Sequence, residues 1–380
     1  MARPFAAKIP VGVLGATGMV GQQYIALLAD HPWFEVAYVA ASPRSAGKKY
    51  KEAVAGRWQA TGGGLARLPG PEVSGNPWDL TVEDANDVSR AIAAFKAGRC
   101  SFVFSALEMG KDEISALETA YAAAGIPVVS NASAHRWTQD VPMLIAEVNP
   151  HHADIIPIQR KNRGWDRGFI AVKPNCSIQS YMTPLQALLQ AGYEVNRLIV
   201  STMQAVSGAG YPGVPSLDMI DNIVPYIGGE EEKSEQEPLK ILGTITGEGI
   251  TSAALPLISA HCNRVPVTDG HTACVSLEFG ARKPSIGDVK RIWTEFSALP
   301  QRLDLPMAPK QPIIVMEEPD RPQPRKDRDA DKAMAVSVGR IRPCKVFDLR
   351  FTALSHNTVR GAAGGGILNA ELLKHRGFIT

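Results

Sequence analysis

The sequence contains few cysteines, and their spacing would not build a disulfide framework or a metal site. The five cysteines are odd in number, widely scattered and never spaced as C-x-x-C, so we predict no structural zinc and a reducing compartment. No apolar run approaches the about 20 residues that a membrane helix needs. The first eight residues lack the apolar core of a signal peptide. We therefore expect a cytoplasmic protein without a membrane partner.

An excess of charge of either sign is also missing. The chain has 40 Lys and Arg against 38 Asp and Glu, a formal net charge of +2, which gives no electrostatic reason to expect a nucleic-acid partner. With 45% hydrophobic and 21% charged residues, the composition is that of a globular protein. At 380 residues the chain exceeds what one hydrophobic core usually supports, so we predict two domains.

A strand, a glycine turn and a helix follow one another near the start of the chain. An apolar run at residues 9–14 precedes the pattern G-x-x-G-x-x-G at residues 15–21, and a helical pattern continues over residues 22–30. Glycines in such a turn let the backbone approach a pyrophosphate at the helix N-terminus. The spacing differs from the commoner G-x-G-x-x-G, and a plain tight turn is the alternative.

The second predicted strand, residues 34–41, ends without the acidic residue that binds the ribose hydroxyls in NAD enzymes. Ser42, Arg44 and Ser45 follow it instead. Hydroxyls and a guanidinium suit a ribose 2′-phosphate, so we predict NADP rather than NAD. A basic surface loop would have the same composition.

Alternating helices and strands continue to about residue 149. We predict helices at residues 80–97 and 113–124, and buried strands at residues 101–107 and 126–130. Ser105 and Leu107 then fall at the carboxyl edge of the sheet, where ligands lie in such folds. Arg136 belongs to a polar turn at the same edge, and a loop and strand at residues 141–149 complete the domain.

Cys176 lies where an extended segment turns into a helix, which we predict over residues 177–191 with a kink at Pro184. The unpaired N–H groups and positive dipole end of a helix favour a thiolate over a thiol. We therefore expect a lowered pKa for Cys176 and a nucleophilic role. Free cysteines are also commonly buried and inert, and spacing alone does not decide between the two interpretations.

The second half of the chain has a different character. Its predicted strands lack a helix between each pair, which favours a mostly antiparallel or mixed sheet in an α+β domain; they cover residues 195–204, 272–279, 332–340 and 344–354. The high charge of residues 228–240 is compatible with the start of a solvated helix. The prolines and alternating charges of residues 317–331 predict an exposed loop or arm. A helix at residues 367–375 ends the sequence.

A cysteine nucleophile beside a nicotinamide site suggests oxidation of an aldehyde through a thioester, because an aldehyde donates a hydride readily only after a thiol has added to it. Such a reaction needs a group that moves protons, and His271 has the most suggestive setting among eight histidines. Arg264 stands at the other end of the same short segment. Together they could hold a carboxylate and transfer a proton, although each alone is compatible with a structural role.

Several of these segments together resemble the aspartate-semialdehyde dehydrogenases, nearly from end to end. The matching segments are residues 15–21, 174–177, 204–210, 264–267 with His271, and 357–366. Residues 207–213 and 230–240 are more similar to the archaeal and fungal branch than to the common bacterial one. The resemblance implies the NADP-dependent interconversion of L-aspartate 4-semialdehyde plus phosphate and L-4-aspartyl phosphate, in the biosynthesis of lysine, threonine and methionine.

The resemblance also implies a role for each matching residue. Cys176 would attack the semialdehyde, His271 would be the general acid/base, and Gln204 would orient the substrate. The remaining substrate-binding residues would be Arg264 at the carboxylate, Glu237 at the amino group, Lys240 and Arg136 at inorganic phosphate, and Asn175 in the phosphate pocket. Which acid among residues 230–237 meets the amino group stays open. No metal is implied.

The NADP site implied by the resemblance combines the glycine turn, the basic loop and the sheet edge with later segments. Its residues would be Gly15, Thr17, Gly18, Met19, Val20, Ser42, Arg44, Ser45, Ser105, Leu107, Ser207, Gly208 and Asn357.

We expect an α/β protein with a Rossmann-type NADP-binding domain at residues 1–157. An α+β catalytic and dimerisation domain with a mixed sheet would follow at residues 158–357, and residues 358–380 would return as a helix to the first domain. The resemblance implies a homodimer or a dimer of dimers. One alternative is a malonyl-CoA reductase or another acyl-phosphate reductase of similar fold, which would not need the pair Glu237 and Lys240. Another is a non-catalytic NADP-sensing regulator, which would not need Cys176 and His271 together.

Overall fold

The computed structural model describes residues 7–60 and 76–380. The prediction that no signal peptide begins the chain concerns residues 1–6 for the most part, and these lie outside the described residues. Among the described residues, no helix has both the length and the apolar character needed to cross a bilayer.

The first domain is built on a six-stranded parallel sheet. Its strands are β1 (Ile9–Leu14), β2 (Phe34–Ala41), β3 (Val82–Asp84), β4 (Phe102–Ser105), β5 (Val128–Ser130) and β6 (Ile170–Val172). Its helices are α1 (Met19–Leu28), α2 (Tyr50–Val54), α3 (Val88–Lys96), α4 (Lys111–Ala123) and α5 (Ile156–Arg163). The spatial order β3-β2-β1-β4-β5-β6 reverses between β1 and β4, the position at which ligands bind in doubly wound folds.

The predicted helix at residues 80–97 is wrong in its first part. Residues 82–84 form β3, which pairs with the end of β2, and Val82 is fully buried. The helix begins only at Val88, where the Asp87 carboxylate caps it by accepting a hydrogen bond from the Ser89 N–H. The acids at 83 and 84 therefore end a strand, and do not start a helix.

The strand predicted within residues 141–149 does not form. Only Met143 makes a bridge, to Val172. The following turn is held by Asn149, whose side chain accepts from the Ile145 N–H and donates to the Met143 carbonyl. The first sheet gains its last strand later, at β6. The domain boundary at residue 157 stays a prediction.

The second domain is built on a six-stranded mixed sheet, as predicted. The remaining strands are β7 (Val195–Gln204), β8 (Thr244–Ile245), β9 (Ile250–Thr251), β10 (Leu257–Arg264), β11 (His271–Phe279), β12 (Ile313–Val315), β13 (Val336–Pro343) and β14 (Leu349–Ser355). Strands β8 and β9 form a separate hairpin, and the large sheet has the order β10-β7-β11-β14-β13-β12. Strand β10, which the sequence patterns did not indicate, pairs in parallel with β7, while β11 pairs with β7 in the antiparallel sense.

Helices α6 (Gln179–Gln190), α8 (Glu230–Ile241) and α9 (Ile286–Glu295) pack against this sheet. The remaining helices are α7 (Ser216–Met219), α10 (Leu299–Arg302), α11 (Pro324–Asp327), α12 (Ala330–Ala333) and α13 (Gly364–His375). Trp293 of α9 packs edge-on against Phe351 and donates its indole N–H to the Pro184 carbonyl of α6, which joins the two helices over the sheet. Short helices also occupy part of the predicted arm at residues 317–331, and Asp327 there is buried against Arg321.

Helix α8 is not the solvated helix predicted from its charge. The Glu231 carboxylate accepts a hydrogen bond from the Cys262 N–H, and the Glu235 carboxylate accepts one from the Ala260 N–H. Both N–H groups belong to β10, the edge strand of the sheet. The acidic run therefore supplies the hydrogen-bond acceptors that an edge strand otherwise lacks.

The C-terminal helix α13 leaves the second domain and packs with α1 and β5 of the first. Leu372 and Leu373 join the core that contains Tyr24 and Ile25. The polar Glu371 is also buried there, and it meets the His31 ring at 2.7 Å. Helix α13, near the end of the sequence, thereby completes the hydrophobic core of the first domain.

Candidate active site

Cys176 and His271 are in contact between the two domains. The Cys176 Sγ lies 3.3 Å from the His271 Nε2. Cys176 follows β6 of the first sheet, whereas His271 is the first residue of β11 in the second. The sequence patterns predicted both residues separately, and the structure brings them together.

The arrangement of the second sheet brings Gln204 and Arg264 to the same place. Strands β7 and β10 run in parallel with Gln204 opposite Arg264. Strand β11 runs the other way, so its first residue, His271, lies beside their last residues. Three strand ends therefore meet at one edge of the sheet, next to the loop that carries Cys176.

The predicted lowering of the Cys176 pKa is not what the structure shows. Helix α6 begins at Gln179, so Cys176 precedes the first turn. Burial raises the pKa of the Cys176 thiol to about 11, and the Glu230 carboxylate adds to this effect, while Lys173, Arg136 and Arg264 oppose it. Desolvation of the thiolate outweighs the favourable position near a helix start.

His271 has a defined proton arrangement. Its Nδ1 accepts a hydrogen bond of 3.0 Å from the Ala205 N–H, so the neutral ring carries its proton on Nε2 and directs it toward Cys176. Burial lowers the pKa of His271 to about 3, and the neighbouring Arg264 and His356 lower it further. The ring is therefore a neutral hydrogen-bond donor toward the thiol side of the site.

Arg264 is held close to this pair by the backbone after β7. Its Nη1 donates a hydrogen bond of 2.7 Å to the Ala205 carbonyl, and the residue is buried. A Cβ atom on Gly208 would lie 2.8 Å from that Nη1 and 3.2 Å from the His271 Cε1. Glycine at this position therefore lets the chain wrap closely around the guanidinium and the imidazole.

A network of amides and a carboxylate adjoins the thiol. Glu230 accepts hydrogen bonds from the side-chain amides of Asn175 at 2.8 Å and Gln204 at 3.3 Å. Its other oxygen pairs with Lys233 at 2.8 Å. Glu230 thus fixes the orientation of two predicted site residues, although the patterns in the sequence assigned it no role of its own.

Glu237, Arg136 and Lys240 form a second buried cluster. Glu237 pairs with Arg136 at 2.8 Å and accepts from the Asn175 N–H at 2.6 Å. The Lys240 ammonium donates to the backbone carbonyls of Arg136 and Thr138, and burial lowers its pKa to about 8. The Glu237 carboxylate therefore accepts a hydrogen bond on each of its two oxygens.

Spacing along α8 was the signal that could have identified Glu230. Glu230 and Glu237 are seven residues apart, which places them on the same face of a helix. Ser234 and Ile241 share that face, and all four residues are buried. The high acidic content obscured this pattern, because five of the twelve residues of the helix are glutamates.

The glycine turn after β1 has the shape that a dinucleotide phosphate requires. Gly15 has a φ of +73°, and a Cβ there would lie 2.2 Å from the Ala106 carbonyl oxygen. A Cβ on Gly21 would lie 2.1 Å from the Gly15 oxygen, whereas Gly18 faces open space apart from that oxygen at 3.5 Å. The start of α1 has no side-chain cap, so its N–H groups suit an anion. Thr17, Met19 and Val20 are half-buried around this turn.

The other predicted cofactor residues divide between surface and interior. Ser42 and Arg44 are exposed just beyond β2, while Ser45 is buried. Ser105 and Leu107 are buried where β4 ends against the glycine turn.

Asn357 connects two loops of the site through both ends of its side-chain amide. It donates a hydrogen bond of 2.8 Å to the Ser207 hydroxyl and accepts one of 2.8 Å from the Gly270 N–H. Asn357 therefore links Ser207 and Gly270, the residues just before Gly208 and His271, and so joins two segments of the second-domain side of the site.

A parallel dinucleotide-binding sheet joined to a mixed sheet, with a thiol–imidazole pair between them, is the arrangement of a two-domain dehydrogenase with a cysteine centre. Residues 10–156 match the family described as "Semialdehyde dehydrogenase, NAD binding domain", and residues 185–360 match "Semialdehyde dehydrogenase, dimerisation domain". The chain belongs to the aspartate-semialdehyde dehydrogenase family, which confirms the resemblance seen in its motifs.

Relatives in archaea and fungi support this membership over nearly the whole chain. The aspartate-semialdehyde dehydrogenase of Archaeoglobus fulgidus is 48% identical over 366 residues, covering 96% of this chain and 98% of its own. That of Aspergillus fumigatus is 47% identical over 384 residues, covering 98% and 99%. The crystal structure of the Candida albicans enzyme with NADP has a TM-score of 0.84 at 41% identity, covering 98% of this chain and 100% of that one.

Proposed function

We propose that the chain catalyses the NADP-dependent, phosphorylating oxidation of L-aspartate 4-semialdehyde to L-4-aspartyl phosphate, and its reverse, within aspartate-family amino-acid biosynthesis. The observation that carries this proposal is the 3.3 Å contact between the Cys176 Sγ and the His271 Nε2, with Arg264 beside it. A thiol, a proton-bearing imidazole and a guanidinium together suit an aldehyde that also bears a carboxylate. A regulator that only senses NADP would have no use for this combination.

The substrate is held by its two charged ends. Arg264 binds the carboxylate, because its guanidinium is fixed by the Ala205 carbonyl and keeps further donors for a bidentate contact. We assign the amino group to Glu237 of the buried cluster, with Glu230 as the second acid beside the thiol. Gln204 orients the aldehyde near Cys176, and its own amide is oriented by Glu230.

The Cys176 thiol loses its proton to solvent, and the resulting thiolate adds to the aldehyde carbon, forming a C–S bond and leaving the negative charge on the former carbonyl oxygen. The His271 Nε2–H donates a hydrogen bond to that oxygen, and needs no change in its own protonation to do so. Bound NADP would supply the acceptor for the hydride that leaves the former aldehyde carbon, and loss of that hydride converts the adduct on Cys176 into a thioester. The glycine turn would hold its pyrophosphate, Ser42, Arg44 and Ser45 would hold its 2′-phosphate, and Asn357 with Ser207 and Gly208 would shape the nicotinamide side of the cleft.

Phosphate then completes the reaction at the acyl–enzyme. A phosphate oxygen forms a bond with the thioester carbon, the C–S bond breaks, and Cys176 leaves as the thiolate while the proton of hydrogen phosphate passes to solvent. Arg136 and Lys240 supply the positive charge that positions phosphate. Arg136 exchanges part of its contact with Glu237 for the anion, and Asn175 keeps the pocket in shape through its contacts with Glu230 and Glu237.

An assay with purified protein tests this assignment. Aspartate semialdehyde, phosphate and NADP are mixed, and the absorbance of NADPH is followed with phosphate present and absent. Phosphate-dependent formation of NADPH supports the proposal. Turnover of malonyl-CoA with NADPH, and no signal with aspartate semialdehyde, would instead favour the related acyl-CoA reductase.

Replacing Arg44 with alanine is expected to weaken NADP binding about 10- to 100-fold and leave NAD binding nearly unchanged, because only NADP carries the 2′-phosphate that a guanidinium contacts. Fluorescence titration of the free protein with each nucleotide measures both dissociation constants. Arg99→Ala is the control, since Arg99 is an exposed arginine just before β4, at the other end of the strands. Equal losses for NADP and NAD would contradict the assignment of Arg44.

A second copy of the chain is the partner that the exposed apolar surface supports. Leu217, Ile220, Ile223 and Tyr226 are largely exposed in the segment after β7, and Leu257 is exposed on the neighbouring edge strand β10. Such a concentration of exposed apolar side chains is typical of an interface. We assign it to a homodimer, in keeping with the dimerisation family that residues 185–360 match. Sedimentation equilibrium should give twice the 40.8 kDa of one chain, or four times for a dimer of dimers.

A further inference from the structure

Lys173 is a buried lysine that the proposed reaction does not use. It is 1% exposed, and its Nζ donates to the backbone carbonyls of Pro174, at 3.2 Å, and Gly361. Within residues 7–60 and 76–380 no carboxylate forms an ion pair with it. A buried ammonium without an anionic partner is unfavourable, so its presence beside a reactive centre calls for a specific reason.

Gly361 joins Lys173 to the nucleophile. The Gly361 carbonyl accepts the hydrogen bond from the Lys173 ammonium. A Cβ on Gly361 would lie only 2.8 Å from the Cys176 Cβ, so the same glycine packs directly against the cysteine. One glycine residue therefore separates the ammonium from Cys176.

Gly365 gives the lysine side chain the space it needs. A Cβ on Gly365 would lie 2.7 Å from the Lys173 Cε. The small residues at 361–366 therefore have a local purpose, because they admit both the cysteine and the lysine to close contact with the backbone.

The charged groups around Cys176 indicate that the Lys173 ammonium is available to stabilise the thiolate. Glu230 disfavours the thiolate, while Lys173, Arg136 and Arg264 favour it, with Lys173 the strongest of the three. The positive charge of Arg136 is balanced by its ion pair with Glu237. Arg264, in the proposed function, binds the substrate carboxylate. His271 is neutral in its buried position and contributes no positive charge.

We propose that Lys173 is a positioning residue for catalysis, which stabilises the Cys176 thiolate from behind Gly361 while the substrate side of the sulfur stays free for the aldehyde. The thiolate in turn supplies the negative charge that the buried ammonium otherwise lacks. Burial lowers the pKa of Lys173 to about 7, and the anionic sulfur and Glu237 raise it while Arg136 and Arg360 lower it further. The two groups are therefore expected to titrate as a pair.

The inference rests on the proposed role of Cys176 as the nucleophile, but its test needs no substrate. The rate at which iodoacetamide alkylates Cys176 is measured from pH 6 to 10, and the Cys176 peptide is quantified by mass spectrometry because Cys274 and Cys344 are also accessible. In Lys173→Met we expect alkylation at pH 7 to be about tenfold slower, since loss of a nearby charge raises the pKa of a thiol by about one. Lys173→Arg should stay close to the wild-type protein.

Two further variants keep the test decisive. Lys290→Met removes a half-buried lysine that pairs with Glu317, far from Cys176 in the sequence, and this variant should be alkylated like the wild-type protein. Lys173→Gln retains an N–H donor for the carbonyls of Pro174 and Gly361 without the charge, and it replaces Lys173→Met if thermal unfolding shows that the methionine variant does not fold. Wild-type alkylation rates in Lys173→Gln, or equally slow rates in Lys173→Arg and Lys173→Gln, would overturn the proposal.

Kinetics with aspartate semialdehyde give an independent readout. Lys173→Met should lower kcat about tenfold at pH 7 and leave the KM for the semialdehyde nearly unchanged, because Lys173 acts on the sulfur and does not contact the substrate. Absence of turnover in the wild-type protein would count against the proposed function alone, since the alkylation profile does not depend on it.

Discussion

Replacing Cys176 with alanine should lower kcat by at least about 10⁴-fold, the order of loss seen when a covalent nucleophile is removed. The reason is that the aldehyde cannot become a hydride donor until sulfur has added to it, and in the part of the chain that the structure describes no second thiol contacts His271. Cys262 also lies near α8, but its thiol contacts the side chains of Ser234 and Thr202. The measurement is NADPH formation with saturating aspartate semialdehyde, phosphate and NADP.

The same variant should bind NADP with unchanged affinity, because the alanine removes only the sulfur and leaves the glycine turn after β1 intact. Cys100→Ala is the matched control. Cys100 is also a buried free cysteine, but it lies in the core of the first domain, and its replacement should retain activity. Substantial turnover by Cys176→Ala would show that the nucleophile lies elsewhere.

Replacing His271 with alanine should lower kcat about 10²- to 10³-fold, whereas His271→Gln should retain about tenfold more activity than the alanine variant. The loss is that expected when one hydrogen-bond donor to a developing oxyanion is removed. The Nδ1 of His271 is occupied by the Ala205 N–H, so the ring works as an Nε2–H donor, and a glutamine amide places an N–H at a similar reach. Single-turnover measurements of hydride transfer report this step directly.

The dependence of the rate on pH separates this donor role from a role as general base. Burial holds the pKa of His271 at about 3, so the ring is neutral throughout pH 5–9 and its protonation cannot limit activity there. The wild-type protein and His271→Gln should therefore share the same acidic limb of kcat/KM. A limb near pH 6 that is present only in the wild-type protein, with glutamine and alanine variants equally inactive, would instead support a role of His271 as general acid/base.

The first domain could be predicted well because its signals are local. Residues 9–41 carry a buried strand, a glycine turn, a helix and a second strand in unbroken order, and the structure has them at nearly the same bounds. Residues 82–84 were mistaken for a helix start because two acids before an amphipathic run are typical of a first helical turn. Three residues of strand carry too short a pattern to outweigh that signal, and only pairing with β2 makes them a strand.

Helix α8 shows why charge is a poor guide to burial. Its acids were interpreted as a solvated surface, yet Glu230 and Glu237 are buried and hydrogen-bonded to site residues, and Glu231 and Glu235 serve the edge of the second sheet. A carboxylate tolerates burial when N–H groups or cations meet it. Those partners come from β10, Asn175, Gln204 and Arg136, none of which adjoins the helix in the sequence.

The sequence by itself determined the dinucleotide-binding start, the α/β fold class and the family, and it predicted the candidate site residues, because residue type and order along the chain carry that information. Only the tertiary structure decided how those residues are arranged. Parallel pairing of β10 with β7 and antiparallel pairing of β11 with β7 bring Gln204, Arg264 and His271 to one edge of the sheet. Local periodicity does not predict the register between strands that are distant in the sequence.

The protonation of Cys176 also depends on the tertiary structure. A helix start predicted a lowered pKa for Cys176, whereas burial raises it, because desolvation depends on everything packed around the sulfur and not on its neighbours in the chain.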